Sequence, residues 1–354
     1  MAVGGAERVV VELAEGCGER GDEVAVAAAA GPLDGELERL GAERFELPET
    51  GRSLVRTALL APVLARRLRA FAPQVVHAHN IKAATVAATA ARLASPRGRI
   101  PVLATFHGVT PGEMRAAARL LRLADDVVCV SRDLAGALND AGLAPARATV
   151  IENAVPVSGP LSEQRRRELD RELALNGSPL VCAVGRLVPQ KAHHRFVDAA
   201  ALVSGQEPRA RFLILGEGPL RGELTARIDA LGLADRVRLA GVRADARDVM
   251  ARADVVVFSS DWEGLSLVAL EALSAGTPVV STDVAGMREL LAGGAGALTS
   301  AFTPEALAEE LLALLGDPDR RQAMGERGRE LVAHRFSLDR MVEAYRARYA
   351  LLAG

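Results

Sequence analysis

Aromatic side chains are scarce in this sequence: one Trp, two Tyr and eight Phe, 3% of 354 residues. That shortage argues against a base-stacking platform for single-stranded nucleic acid. No charge dominates either, with 43 Lys and Arg against 45 Asp and Glu and a net charge of −2. With basic residues scattered along the chain, no nucleic-acid partner is expected. Only three cysteines occur, Cys17, Cys129 and Cys182, far apart and without metal-ligand spacing. They read as small core residues of a reduced compartment. No apolar run reaches the roughly 18 residues that a membrane span needs. The N-terminus lacks the basic-then-apolar layout of a signal peptide. A cytoplasmic protein is expected. The basic helix face "ARRLRAF" (65–71) leaves a peripheral membrane contact open beside plain solvation.

What the chain has in quantity is hydrophobic residues, 49%, in a repeating order. Short apolar runs, each suited to burial on both faces, alternate with 10–15 residues of helical pattern. The first set is 23–30, 75–79, 102–107, 126–131 and 148–153; the second is 180–185, 211–216, 237–241, 254–260 and 277–283. Parallel strands between helix layers read this way. Between the sets, 156–179 is Pro/Gly-rich and then strongly charged, a linker followed by a surface helix. The expected fold is α/β, with two doubly wound Rossmann-like units facing across a cleft. Ligands should bind at the carboxyl ends of the strands. "MAVGGAERVV" opens on a Gly-Gly turn leading into a helix, which ordinarily follows a strand. The first strand of this unit therefore looks missing, and a start roughly 10 residues upstream, or a truncated chain, is expected.

Several stretches carry candidate chemistry. "VCAVGRLVPQKAHH" (181–194) runs from a strand into a loop with Arg186 and Lys191. Arg can bind a diphosphate as a fork and Lys as a point charge, so the pair suits a clamp, or is simply two surface cations at a turn. "LILGEGPLRGEL" (213–224) places Gly216 and Gly218 after a strand. As a dinucleotide fingerprint this is weak, since no acid ends the next strand; such glycines would equally let a flat ring lie against the backbone. In "DWEGLSLVALEALSAGTPVVSTDVAG" (261–286), Gly264, Leu265, Ser266 and Leu267 offer backbone N–H groups at a helix start, suited to an anion. Glu271 falls one turn further in, on a helix apolar nearly all round. A buried carboxylate needs hydrogen bonds, from ribose hydroxyls or from a neighbouring Arg. Glu263 lies in the loop before the helix, within reach of a ligand. "TFHG" (105–108) puts His107 at a strand end, able to exchange hydrogen bonds with a sugar hydroxyl near neutral pH. His77 and His79 in "HAHN" (77–80) read as structural, and no third ligand is spaced for zinc.

Taken in order, these stretches resemble one family: the retaining glycosyltransferases of family 4, with the GT-B architecture. The resemblance rests on the Glu-x7-Glu element from Glu263 to Glu271, on "VGRLVPQK", "GEGP", the "TFHG" histidine, "HAHN", "VCVSRDLAGAL", "VIENAV" and "GGAERVV". These elements span nearly the whole chain. The resemblance implies an acceptor-binding domain over 1–155, a donor domain over 156–335, and a C-terminal helix over 336–354 returning to the first domain. It implies transfer of a hexose (glucose, N-acetylglucosamine or mannose type) from a nucleoside-diphosphate sugar, with UDP-sugars slightly preferred. No metal or other cofactor is implied. Arg186 and Lys191 would hold the diphosphate, Glu263 would face the sugar beside the 264–267 backbone, and Glu271 would bind the ribose. Gly216, Gly218 and Val242 would border the base, Gly4 and Gly5 would approach the phosphates, and His107 would meet the sugar. The family usually has Gly after the clamp lysine, where this chain has Ala192, then His193 and His194.

The acceptor stays open between a small molecule, a lipid-linked sugar and a polysaccharide, and the assembly between monomer and homodimer. Three rivals follow from the same residues: a sugar-nucleotide epimerase of similar fold, a non-catalytic nucleotide-sugar binder and, from the weak glycine pattern alone, an NAD(P) oxidoreductase.

Overall fold

A computed structural model describes residues 5–48, 57, 59–95, 100–157 and 159–354. The chain divides into two compact units, one of residues 1–153 with 338–354 and one of residues 154–337. The first unit begins α1 Gly5–Gly18, β1 Ala25–Ala28, α2 Asp34–Arg39, β2 Glu43–Glu46, α3 Leu60–Phe71, β3 Val76–Ala78 and α4 Ile81–Ala94. It continues β4 Val102–Phe106, α5 Met114–Leu121, β5 Asp126–Cys129, α6 Arg132–Asp140 and β6 Ala148–Val150. The second unit starts with α7 Glu163–Glu172, β7 Leu180–Val184, α8 His193–Gln206, β8 Arg211–Leu215, α9 Arg221–Ala230, β9 Val237–Gly241 and α10 Ala246–Arg252. It closes with β10 Val255–Phe258, α11 Leu267–Ser274, β11 Val279–Ser281, α12 Ala285–Leu291, β12 Gly296–Leu298, α13 Pro304–Leu315 and α14 Pro318–Arg335; α15 Leu338–Ala353 ends the chain.

All strand pairs among the described residues are parallel, as runs buried on both faces require. In the second unit the sheet order is β12-β11-β10-β7-β8-β9. The chain thus steps outward from β7 to β9, returns beside β7 with β10, and steps outward the other way. That reversal between β7 and β10 is where such sheets open a crevice at their carboxyl ends. Val181, Phe212, Val255 and Val257 anchor the core, with Phe196 of α8 and Leu307 and Leu311 of α13 packed against the sheet. In the first unit the strands form two sheets among the described residues, β1-β2 and β3-β4-β5-β6. Two strands were absent from the sequence reading: β2, "ERFE", is mostly polar and lies at a sheet edge, and β12 is a three-residue edge strand. The three cysteines are free and buried, and burial pushes the Cys17 thiol up to about 11 and Cys129 to about 12.

Helix α15 is fixed to the first unit by packing and by polar contacts. Tyr345 is fully buried, and its hydroxyl lies 3.0 Å from Thr105 Oγ1 of β4. Arg348 Nη2 pairs with the buried Asp126 at 2.5 Å, and Arg346 pairs with Asp22 at 2.7 Å. His77 of β3 joins the two sides, with Nδ1 2.7 Å from the Tyr349 hydroxyl and Nε2 2.7 Å from Thr105 Oγ1. Burial, with the neighbouring His107, pushes His77 down to about 3 from an ordinary 6.5. The unfolded chain takes up a proton below pH 6.5 while the native ring does not, so the contribution is intact above 6.5 and lost as pH falls. Between pH 7 and 5 this one ring should cost about 2 kcal/mol of stability. Urea unfolding of the wild type and of His77→Gln at the two pH values checks it: the variant should show a shallower pH dependence, and equal slopes would contradict the assignment.

Candidate nucleotide-sugar site

Lys191 and Glu263 meet at the reversal point of the second sheet. Lys191 ends the loop after β7 and Glu263 lies in the loop after β10, and Lys191 Nζ is 2.5 Å from Glu263 Oε1. Ser260 donates its hydroxyl to the same oxygen at 2.5 Å. The Glu263 side chain is 7% exposed and that of Lys191 18%, so this pair is largely withdrawn from water. The two loops are also joined through backbone: Asp261 N–H donates to Gln190 O at 2.9 Å, and Gln190 Nε2 donates to Trp262 O at 3.0 Å. Ser259 donates to Lys191 O at 2.9 Å, and Arg195 reaches Ser259 O and pairs with Asp261. Arg186, five residues before Lys191, is exposed, and its side chain has no ion-pair partner among the described residues.

The glycines also have a packing role in this geometry. A Cβ on Gly216 would lie 2.0 Å from Gly185 O, and one on Gly218 would lie 2.5 Å from Leu187 O. Their space is taken by the backbone of the Arg186 loop, to which Leu187 N–H ties the Glu217 carbonyl at 2.9 Å. Gly216 and Gly218 therefore let the loop after β8 support the cation loop. Val242, just past β9, is 71% exposed. Ala192 holds the left-handed conformation, φ 44°, which a glycine would adopt without the Cβ penalty. His193 behind it is buried, and burial pushes it down to about 4.

Helix α11 starts at Leu267, with Ser266 as its cap, the serine hydroxyl accepting from Ala269 N–H at 3.4 Å. Gly264 and Leu265 thus belong to the loop before the helix. Glu271 lies in the second turn, its side chain 17% exposed, and has the arginine partner that a buried carboxylate calls for. Arg247 of α10 approaches with Nε at 2.8 Å and Nη2 at 2.7 Å, both on Oε1. No hydrogen bond to Oε2 is present among the described residues. Glu271 and Arg247 line a cavity of about 270 Å³ with Ser162, Arg165 and Ala275.

His107 and Gly5 belong to the first unit; Gly4 lies outside the described residues. His107 follows β4 and its Nε2 is 3.5 Å from His79 Nδ1, the rings stacked at 5.7 Å. Burial pushes His107 down to about 4, so near neutral pH its imidazole is uncharged. Ser260, Gln190, Arg195, Arg247 and Gly286 escaped the sequence reading. Only Gly286 left a signal there, as a glycine in the first turn of α12: a Cβ on it would lie 2.1 Å from Gly264 O. Gly286→Ala should push the Glu263–Gly264 loop and cost about 1–3 kcal/mol. Gly293, whose added Cβ meets nothing within 4 Å, is the control. Denaturant midpoints of both variants check this, and equal midpoints would contradict the packing account.

A family model described as Glycosyltransferase Family 4 matches residues 3–158, and one described as Glycosyl transferases group 1 matches residues 165–331. Among curated proteins, the chain is 32% identical to an alpha-D-kanosaminyltransferase of Streptomyces kanamyceticus over 52% of this chain and 50% of that protein. It is 31% identical to the lipopolysaccharide core biosynthesis glycosyltransferase LpsE of Rhizobium meliloti over 66% of each. The match thus spans about half the length of the first of these relatives. Among solved structures, Anabaena Alr3699/HepE in complex with UDP and glucose superposes with a TM-score of 0.87 at 24% identity, covering 98% of this chain and 96% of that one. WaaG, a glycosyltransferase involved in lipopolysaccharide biosynthesis, gives a TM-score of 0.78 at 18% identity, covering 99% and 96%. The fold is that of the GT-B glycosyltransferases, and the chain belongs to glycosyltransferase family 4, the glycosyl transferases group 1.

Proposed function

We infer that the protein moves a hexose from a nucleoside-diphosphate sugar to an acceptor hydroxyl, with retention at the anomeric carbon and no metal. The observation that carries this reading is the Lys191–Glu263 pair at the sheet's reversal point, with Arg186 exposed beside it. The diphosphate competes with Glu263 for the Lys191 ammonium. Once the phosphate takes that cation, Glu263 turns its acceptor oxygens to the sugar hydroxyls. As the C1–O bond breaks, the electron pair goes to the leaving phosphate oxygen. Arg186 and Lys191 stabilise that charge, each by about 3 kcal/mol. The acceptor proton passes to the leaving phosphate on the same face of the sugar, and the acceptor oxygen bonds to C1. Gly216, Gly218 and Val242 border the base.

Glu271 takes the ribose through Oε2 while Arg247 holds Oε1, beside a cavity roomy enough for a ribose. The same pair supports a second reading, in which Arg247 and Glu271 only brace α10 against α11. A UDP-sugar donor is favoured because structures of the similar Anabaena Alr3699/HepE hold UDP, glucose or UDP-glucose. The acceptor belongs to one of three classes: a small molecule, a lipid-linked sugar or a polysaccharide. A nucleotide-release assay over UDP-glucose, UDP-N-acetylglucosamine and GDP-mannose tests the reading. Lys191→Ala and Glu263→Ala should lower kcat by about 100-fold. Glu271→Ala should mainly raise the donor KM. Full turnover by Glu263→Ala would overturn the assignment; an unchanged KM with lowered stability in Glu271→Ala would favour the bracing role.

A further inference from the structure

Helix α7 is charged at every position except Gln164 and Leu169, and it buries Leu169 alone. A helix polar nearly all round has no hydrophobic stripe to seat it, so its place is set by charge pairs. Three of its side chains reach the 243–252 segment. Arg165 donates through Nε to Asp248 at 2.8 Å and pairs with Asp245 as well. Asp170 pairs with Arg252 at 2.5 Å, and Glu172 with Arg243 at 2.5 Å. Arg243 in turn grips Asp245 with Nε at 2.8 Å and Nη2 at 2.6 Å, which holds the Asp245 carboxyl below the usual carboxylate range. Partly exposed pairs contribute little stability. A helix serving solubility would scatter its charges, whereas these are matched to one neighbour, and their effect is on position.

The element held in this way is α10, seven residues long, with Val249 and Met250 buried. So short a helix has little order of its own. It carries Arg247, whose Nε and Nη2 both lie on Oε1 of Glu271. Arg165, Arg247, Asp248 and Glu271 line the same cavity of about 270 Å³. Ser162 lines it too, and caps α7 by accepting from Arg165 N–H at 3.2 Å. Two arginines and two carboxylates thus share one space, and they are partitioned: Arg165 serves Asp248, and Arg247 serves Glu271. Asp248 has no second ion-pair partner among the described residues. Left without Arg165, its charge would compete for Arg247, its neighbour in sequence, in a cavity where charges are screened less than in bulk water.

On the reading of Glu271 as the ribose carboxylate, we propose that Arg165 and Arg247 are positioning residues for the ribose of the donor nucleotide. Arg165 occupies Asp248, so Arg247 stays on Glu271 Oε1 and Oε2 is left to the ribose hydroxyls. Arg165 acts through α10 and does not touch the donor.

The test is calorimetric binding of UDP and of 2′,3′-dideoxy-UDP, which lacks both ribose hydroxyls, to the full chain. The wild type should prefer UDP by about tenfold or more, and Glu271→Ala should lose that preference. Arg165→Ala and Arg247→Ala should each bind UDP about tenfold more weakly while binding the dideoxy nucleotide as the wild type does. Asp248→Asn added to Arg165→Ala should restore UDP affinity, because the competing charge is gone. A packing role for Arg165 would not be repaired by that change, and its loss would weaken both nucleotides equally. Thermal melting close to that of the wild type establishes that the variants fold, and Arg165→Gln replaces Arg165→Ala if that variant melts early. Equal wild-type affinity for the two nucleotides overturns the ribose role of Glu271 and this inference with it. A UDP preference that depends on Glu271 but survives Arg165→Ala, or a loss that Asp248→Asn leaves in place, overturns the positioning roles alone.

Discussion

A lysine and a glutamate from two loops far apart in sequence share 2.5 Å at the point where the second sheet reverses direction. The rest of the site is arranged around that contact. An ion pair so withdrawn from water contributes little net stability, because desolvating both charges offsets most of their attraction. An apolar pair of similar volume would serve the fold as well. Its position at the carboxyl ends of β7 and β10, within a family of glycosyltransferases, points instead to chemistry that needs a cation and a carboxylate side by side.

The surrounding structure fixes where that pair sits. Gly216 and Gly218 remove the Cβ atoms that would push the cation loop away, and Gly286 does the same beneath the glutamate loop. Ser259, Ser260, Gln190 and Arg195 tie the two loops to one another. These are small or uncharged residues for the most part, and their contribution is positional. A ligand arriving there meets groups already held in place, which lowers the cost of ordering them on binding.

Much of the fold was legible because parallel strands buried on both faces must be short and continuously apolar. Strands such as β7, β8 and β10 announce themselves in "LVCAV", "RFLIL" and "VVVF". β2 and β12 did not, since an edge strand needs only one partner and can be polar or very short. The charged side chains of the site could be picked out because Glu271 on an apolar helix, or Arg186 and Lys191 flanking a loop, break the local pattern. What those side chains touch was not legible. The two possible partners for Glu271 could be named, but choosing Arg247 needed the packing of α10 on α11. What Gly216 and Gly218 pack against was not legible for the same reason: a glycine declares that space is scarce, not what fills it.

A crystal structure of the full chain with UDP bears most directly on the central claim. The account predicts a phosphate oxygen at about 2.7–2.9 Å from Lys191 Nζ and from the Arg186 guanidinium, with a ribose hydroxyl on Glu271. The Lys191–Glu263 contact should be lengthened from its 2.5 Å. UDP bound elsewhere, with that contact unchanged, would contradict it.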